Sequence, residues 1–136
     1  MDEKQSLEEL ISRGEGQSLE FKAAIPTPRH LARTIAAFAN SGGGTILLGV
    51  REDGSVPGVS FYFAEKALES ALQLLKPPPE ALLTQLSGVR ANAVARIDVA
   101  AEPAGPVAVP DGLFYRSGTS IEPLPAGKIR EKALSK

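Results

Sequence analysis

Residues 38–50 read F-A-N-S-G-G-G-T-I-L-L-G-V and decide how this chain folds. The residues before the three glycines continue a helical repeat of apolar side chains, and the run over 45–50 is apolar on both faces. A short run of that kind is typical of a central strand that is covered on both sides. Glycine just past a helix end commonly adopts the left-handed conformation that terminates the helix. The stretch therefore predicts a helix that ends before Gly42 and a connection into a buried strand.

The three glycines, Gly42, Gly43 and Gly44, could instead form a phosphate-binding loop. Such loops follow a strand and precede a helix, so that the positive end of the helix faces the anion. Here the order is reversed, the helix end is the negative one, and no Gly-Lys-Ser/Thr follows. The sequence therefore predicts a structural loop with at least one glycine at positive φ, and it argues against ATP binding there. Asn40 is expected to satisfy its helix end.

Upstream of this stretch, the apolar spacing predicts a short amphipathic helix over residues 2–12. Alternation over residues 18–22 predicts a strand. Thr27 followed by Pro28 is typical of an N-cap with proline at the first helical position, and the helix that starts there runs to the glycines.

Downstream, Asp53 and Gly54 are a turn signal that predicts a hairpin with a short returning strand over 56–59. Three prolines at 77–79 end a second long helix over 61–76. The remaining segments are predicted as one ambiguous further helical turn (80–88), a strand (92–101), a loop (103–110), a strand (113–117) and a short helix (125–134). This order predicts an α+β fold, a mixed sheet with packed helices, in which residues 1–13 form an N-terminal helix and 14–136 a single domain.

Composition limits the function classes. The formal net charge is −1, so nucleic-acid binding would need a local basic face. The chain has no cysteine and one histidine, His30, which excludes thiolate or multi-histidine metal sites and a cysteine nucleophile. No apolar run approaches the roughly 20 residues of a membrane span, and the acidic N-terminus is not a secretory signal. A cytoplasmic domain without membrane contact is expected.

Three blocks of the sequence resemble the Schlafen AlbA_2 domain family: G-E-G-Q-S-L-E-F-K (14–22), A-F-A-N-S-G-G-G-T-I-L-L-G-V-R-E-D-G (37–54) and Y-R-S-G-T-S (115–120). They occur in the family's order. The resemblance implies a DNA-binding domain of a bacterial-type transcriptional regulator or of a helicase-like protein. Older descriptions of the family include ATP binding, and similar domains of animal Schlafen proteins are metal-dependent, RNA-cleaving nucleases.

The resemblance also implies an acidic site. In nuclease members the spacing of Glu15 and Glu20 supplies two ligands for Mg²⁺ or Mn²⁺, and a third acid follows the central strand, here Glu52 or Asp53. These residues are therefore the catalytic and metal-binding candidates. By residue type alone, two glutamates near a turn are more often solvated. Because Arg51 comes directly after the strand, we expect its guanidinium to pair with Glu15 or Glu20, which predicts binding without cleavage.

The basic candidates centre on one helix. Arg29 and Arg33 are one turn apart, so they can meet two neighbouring phosphates, although a solvated helix face would show the same spacing. The segment 115–120 combines an arginine with hydroxyls that can donate to phosphate, or it simply closes a strand. The full set of nucleic-acid-binding candidates is Lys22, Arg29, His30, Arg33, Arg51, Arg116, Ser117, Thr119 and Ser120.

These observations predict a nucleic-acid-binding domain that contacts mainly the phosphate backbone, of DNA rather than RNA. Binding would need no cofactor, and the chain is expected to act within a larger regulator or as a homodimer. The alternatives are a nuclease that uses Mg²⁺ or Mn²⁺ and, from a different class, an ATP-binding or oligomerisation module.

Overall fold

The first helix begins with a capping box. In the computed structural model, which describes residues 6–124, Glu9 N donates to Ser6 Oγ (3.1 Å) and Ser6 N donates to the Glu9 carboxylate (3.0 Å). Both bonds satisfy amide groups that a helix start leaves unpaired. Helix α1 (Leu7–Arg13) therefore begins at residue 7, within the predicted range 2–12.

The described residues form an α+β fold, as predicted, with three helices and seven strands. After α1 the order is β1 (Leu19–Lys22), α2 (Pro28–Ala39), β2 (Gly44–Leu48), α3 (Phe61–Leu72), β3 (Ala81–Val89), β4 (Asn92–Val99), β5 (Ala108–Val109), β6 (Gly112–Ser117) and β7 (Ser120–Pro123). None of these helices is long and apolar enough to cross a membrane. The predicted helix over 125–134 lies outside the described residues.

Two sheets organise the strands. The larger sheet has the order β1-β2-β4-β3, and the smaller has the order β5-β6-β7. In the larger sheet β1 is parallel to β2, whereas β4 is antiparallel to both β2 and β3, so the sheet is mixed. The run after the glycines is thus an internal strand, as its two-sided apolar pattern predicted.

Helices cover both faces of the larger sheet. Helices α2 and α3 bury one face in the main core, and α2 also packs against β6 of the smaller sheet. Helix α1 covers the opposite face, where Leu10 is completely buried. The second core consists of Leu10, Leu19, Phe21, Leu47, Val50 and Val94. Helix α2 therefore lies between the two sheets, and its polar face borders the smaller one.

The glycine connection between α2 and β2 is structural, as predicted. Gly42 and Gly43 have φ values of 93° and 92°, and Gly43 N donates to Phe38 O (2.7 Å), which closes the helix. Gly44 is required for another reason, because a Cβ there would lie 2.4 Å from the Phe38 ring. The loop thus combines left-handed backbone with a close passage over an aromatic side chain.

The predicted role of Asn40 is wrong in one respect. Its backbone N–H closes the helix on Ala36 O (2.9 Å), but its side chain reaches away from the helix. The side-chain amide donates to Phe114 O (2.8 Å) and Val107 O (3.1 Å), and its oxygen accepts from Val107 N (2.7 Å). Buried Asn40 therefore fastens the end of α2 to the smaller sheet.

The loop after β2 contains the predicted turn. Asp53 Oδ1 accepts hydrogen bonds from Ser55 N (2.9 Å) and Ser55 Oγ (2.7 Å), and these bonds hold the pKa of Asp53 below its usual value. Gly54 follows at φ 90°, and its N–H donates to Arg51 O (2.9 Å). Asp53 and Gly54 are thus turn residues, as their sequence indicated.

The returning strand predicted over 56–59 does not form. Only Val59 pairs, in an isolated bridge with Ala93 of β4. Pro57 has no N–H to give to a ladder, which limits pairing here to one residue.

Residues 80–88 were predicted as a possible helical turn, and this is wrong because they form most of edge strand β3. A β-bulge shifts the register between Gln85 and Ser87, so the strand lacks regular alternation. Strand β7 was not predicted at all.

Candidate nucleic-acid interface

Arg29 and Arg33 lie on the first turns of α2, which begins at the N-cap Thr27 as predicted. Their side chains are 66% and 38% exposed. Both converge on the Asp111 carboxylate, which belongs to the turn between β5 and β6. Arg29 uses Nε (3.2 Å) and Nη2, and Arg33 uses Nη2 (2.9 Å). The one-turn spacing seen in the sequence therefore aims two guanidiniums at a single anion.

The contacts between the two arginines and Asp111 shift the pKa values of Asp111 and Arg29. Hydrogen bonds from Arg29 and then Arg33 hold the pKa of the Asp111 carboxyl far below its usual range. In return, the hydrogen bond to Asp111 raises the pKa of Arg29. Asp111 is therefore a carboxylate at any physiological pH, and it offsets part of the positive charge.

Phe114 of β6 fixes the direction of Arg33. The Arg33 guanidinium carbon lies 4.7 Å from the centroid of the Phe114 ring, a cation–π arrangement. Within residues 6–124 the buried Arg33 Nε has no hydrogen-bond partner, whereas Arg33 Nη2 donates to Asp111. Neither Phe114 nor Asp111 was identified from the sequence as a site residue, because each is about 80 residues away along the chain and Asp111 resembles an ordinary Asp-Gly turn residue.

Lys22 and His30 extend the basic surface toward β1. Lys22 Nζ lies 3.2 Å from His30 Nε2 and 2.7 Å from a Glu20 carboxylate oxygen. Partial burial, and then the Lys22 charge, lower the pKa of His30, and the Arg33 charge acts in the same direction. We call the three cations Lys22, Arg29 and Arg33, together with the neighbouring imidazole of His30, the cationic patch. It joins the C-terminal end of β1 to the exposed start of α2.

Arg116, another predicted phosphate contact, lies inside the protein. Its side chain is 0% exposed, and its guanidinium pairs with Glu20 and donates to Gly16 O (2.8 Å) and Leu19 O (3.2 Å). The guanidinium carbon also lies 4.7 Å from the Phe38 ring centroid. A phosphate could reach Arg116 only if this junction opened, so we assign it a structural role.

Three exposed hydroxyl residues follow Arg116: Ser117 ends β6, Thr119 lies in the turn, and Ser120 begins β7. Gln17 holds this turn, because its side chain donates to Arg116 O (2.9 Å) and accepts from Gly118 N (2.7 Å). Their contact with nucleic acid stays a prediction.

The acidic candidates do not assemble into a metal site. Within residues 6–124, no three His, Cys, Asp or Glu side chains are grouped so that they could hold a metal ion. Glu15 accepts a hydrogen bond from Phe21 N (2.8 Å), Glu20 is paired with Lys22 and Arg116, and Glu52 is exposed in the loop after β2. The proposed ligand set of Glu15, Glu20 and Glu52 is therefore not brought together.

The predicted pairing of Arg51 is wrong. Arg51 Nη1 donates to Ser55 Oγ (3.2 Å), within its own loop. The cations that do neutralise Glu20 come from β1 itself and from β6, as Lys22 and Arg116. Neither of these cations is Arg51, and Glu15 accepts its hydrogen bond from a backbone N–H instead.

Comparisons with known proteins agree with this architecture. One solved structure, the crystal structure of the DIP2311 protein from Corynebacterium diphtheriae, superposes with a TM-score of 0.60 at 22% identity. The match covers 85% of this chain but only 23% of that one, so it supports the fold alone. Among curated proteins, none matches the sequence significantly. The profile of the family described as Schlafen, AlbA_2 matches residues 15–125. The chain therefore belongs to the Schlafen AlbA_2 family, whose domains are of nucleic-acid-binding type.

Proposed function

We propose that this chain is a nucleic-acid-binding domain whose cationic patch contacts the phosphate backbone, of DNA rather than RNA, within a transcriptional regulator. The observation that carries the proposal is the convergence of Arg29 and Arg33 on one oxyanion. Family membership supplies the class of ligand, since the net charge of −1 gives no overall attraction to nucleic acid.

The chemistry of the patch suits phosphate. A guanidinium presents parallel N–H groups that bind two oxygens of one anion, and such charge-assisted bonds are stronger than neutral ones. Two guanidiniums one helical turn apart, with Lys22 and His30 beside them, give a row of donors that can follow consecutive phosphates. Contacts of this kind orient a protein on nucleic acid without reading its sequence.

Binding of this kind requires no metal ion, because the cations are the protein's own side chains. Nothing in the described residues favours nuclease chemistry with Mg²⁺ or Mn²⁺, since the carboxylates are not grouped. The homodimer and the cytoplasmic location stay predictions from the sequence.

The test is fluorescence anisotropy with duplex DNA, duplex RNA and their single strands at two salt concentrations. Arg33→Ala should weaken binding to all sequences alike and lower the slope of log K against log salt by about one unit. Arg29→Ala should do the same. Arg90→Ala is the matched control, because Arg90 is exposed, paired with one carboxylate, and lies in the turn from β3 to β4, at the opposite edge of the sheet from β1.

Two results would contradict the proposal. Binding that Arg29→Ala and Arg33→Ala leave unchanged in both affinity and salt slope would remove the patch from the interface. Degradation of the probes that depends on Mn²⁺ and is abolished by Glu20→Gln in a folded variant would favour the nuclease instead.

A further inference from the structure

Asp111 occupies the point at which the two patch arginines converge. Its two oxygens accept hydrogen bonds from Arg29 Nε, Arg29 Nη2 and Arg33 Nη2, which is how a phosphate would be held by the same groups. A phosphate cannot accept from the same three groups while the carboxylate remains between the arginines, because Arg29 Nε, Arg29 Nη2 and Arg33 Nη2 already donate to Asp111.

The arrangement leaves Asp111 easier to move than Arg33. Arg33 is packed against Phe114 and has a buried Nε, so its position is fixed by the protein interior. Among the described residues, the Asp111 carboxylate accepts hydrogen bonds only from the two arginines. Rotation of the Asp111 side chain would therefore free both guanidiniums without disturbing the core.

We propose that Asp111 is a built-in placeholder for a backbone phosphate, which nucleic acid must displace in order to bind. This inference rests on the proposed function and adds a residue that sets its affinity. With Asp111 in place, a single weakly charged anion gains little, because it exchanges one anion for another. A polyanion that also engages Lys22 and His30 gains contacts that the carboxylate does not make.

The experiment is the anisotropy titration with duplex DNA, made with Asp111→Asn and with Glu122→Gln. Glu122 is the matched control because it is an exposed acid of the same small sheet. It lies on β7, paired with Tyr115 of β6. Removal of the placeholder should tighten binding by about three- to tenfold and steepen the salt slope by about one unit, whereas Glu122→Gln should change affinity less than about twofold. Thermal melting of both variants checks that they fold, and Asp111→Ala repeats the test with a different side chain.

A double-variant cycle separates displacement from a general charge effect. The gain from Asp111→Asn should largely disappear in the Arg33→Ala background, because the contact that it releases is then incomplete. An equal gain in both backgrounds, or an equal gain from Glu122→Gln, would overturn the placeholder.

The remaining outcomes are equally informative. Suppose that the wild-type protein binds, that Arg33→Ala weakens binding, and that the affinity of Asp111→Asn equals the wild-type affinity or is weaker. Asp111 then positions the arginines, and the inference fails while the proposed function stands. If neither the wild-type protein nor Asp111→Asn binds any nucleic acid, both fail together.

Discussion

Replacing Glu20 by glutamine distinguishes a structural ion pair from a metal ligand. The substitution should lower the melting temperature in the first case and raise that of the metal-free protein in the second. In the structure, Glu20 is almost fully buried between two cations, with one oxygen on Arg116 and the other 2.7 Å from Lys22 Nζ. Glu20→Gln keeps the size of the side chain and can still accept a hydrogen bond, but it leaves the charge of Arg116 without its partner in the protein interior. We therefore expect the variant to be less stable than the wild type.

The size of the effect follows from burial. Removing one partner of a buried ion pair costs about 3–5 kcal/mol, and we expect the lower end because the amide oxygen remains. For a domain of this length 1 kcal/mol corresponds to roughly 3–5 °C, so the melting temperature should fall by about 9–15 °C. Glu52→Gln is the control, because Glu52 is exposed and its substitution should change stability by less than about 0.5 kcal/mol.

The assay is thermal and urea unfolding followed by circular dichroism in the presence of EDTA. If Glu20 belonged to a cluster of carboxylates that forms a metal site, its neutralisation would relieve their mutual repulsion and stabilise the metal-free protein. A melting temperature for Glu20→Gln at or above the wild-type value would therefore refute the ion-pair argument. Arg116→Met should also destabilise the fold, and the double variant should be more stable than the sum of the two single losses predicts.

Two further predictions concern the junctions of α2. Gly44→Ala should lower the free energy of unfolding by about 1–3 kcal/mol, because its Cβ would collide with the Phe38 ring, whereas Gly16→Ala, with open space around its Cβ, should have a smaller effect in the same urea titration. Asn40→Ala should lower the free energy of unfolding by about 2–4 kcal/mol, since it leaves the backbone groups of Val107 buried without partners. A urea midpoint equal to that of the wild type would contradict this role.

The elements that the sequence predicted well are those with local chemical signals. The N-cap Thr27 with Pro28, the left-handed Gly42 and the apolar strand after it depend on residues that are neighbours along the chain. Each signal reflects a backbone constraint or a two-sided burial that acts over a few residues. These features fix α2 and β2, and with them the centre of the fold.

The features that were missed depend on distant partners. Strand β3 was not recognised because its bulge interrupts the alternation that marks a strand. The burial of Arg116 has no local signal, since its carboxylate partner is 96 residues away in the chain. Asp111 likewise meets Arg29 and Arg33 only because the small sheet packs against α2. Candidate residues could therefore be proposed from the sequence, but not whether they face solvent or the interior.

The residues that identify the family and the residues proposed to bind nucleic acid are largely different. Arg116, in the third block of the resemblance, pairs with Glu20 of the first block, and its backbone N–H donates to Ser41 Oγ of the second block (2.8 Å). The three blocks thus meet in one internal polar junction, so a match to them reports that the fold is present. Arg29 and Arg33 lie between the first and second blocks, on a surface that the blocks do not encode. Two members of the family could therefore share this junction and differ completely in their affinity for nucleic acid, depending on what stands at the start of α2.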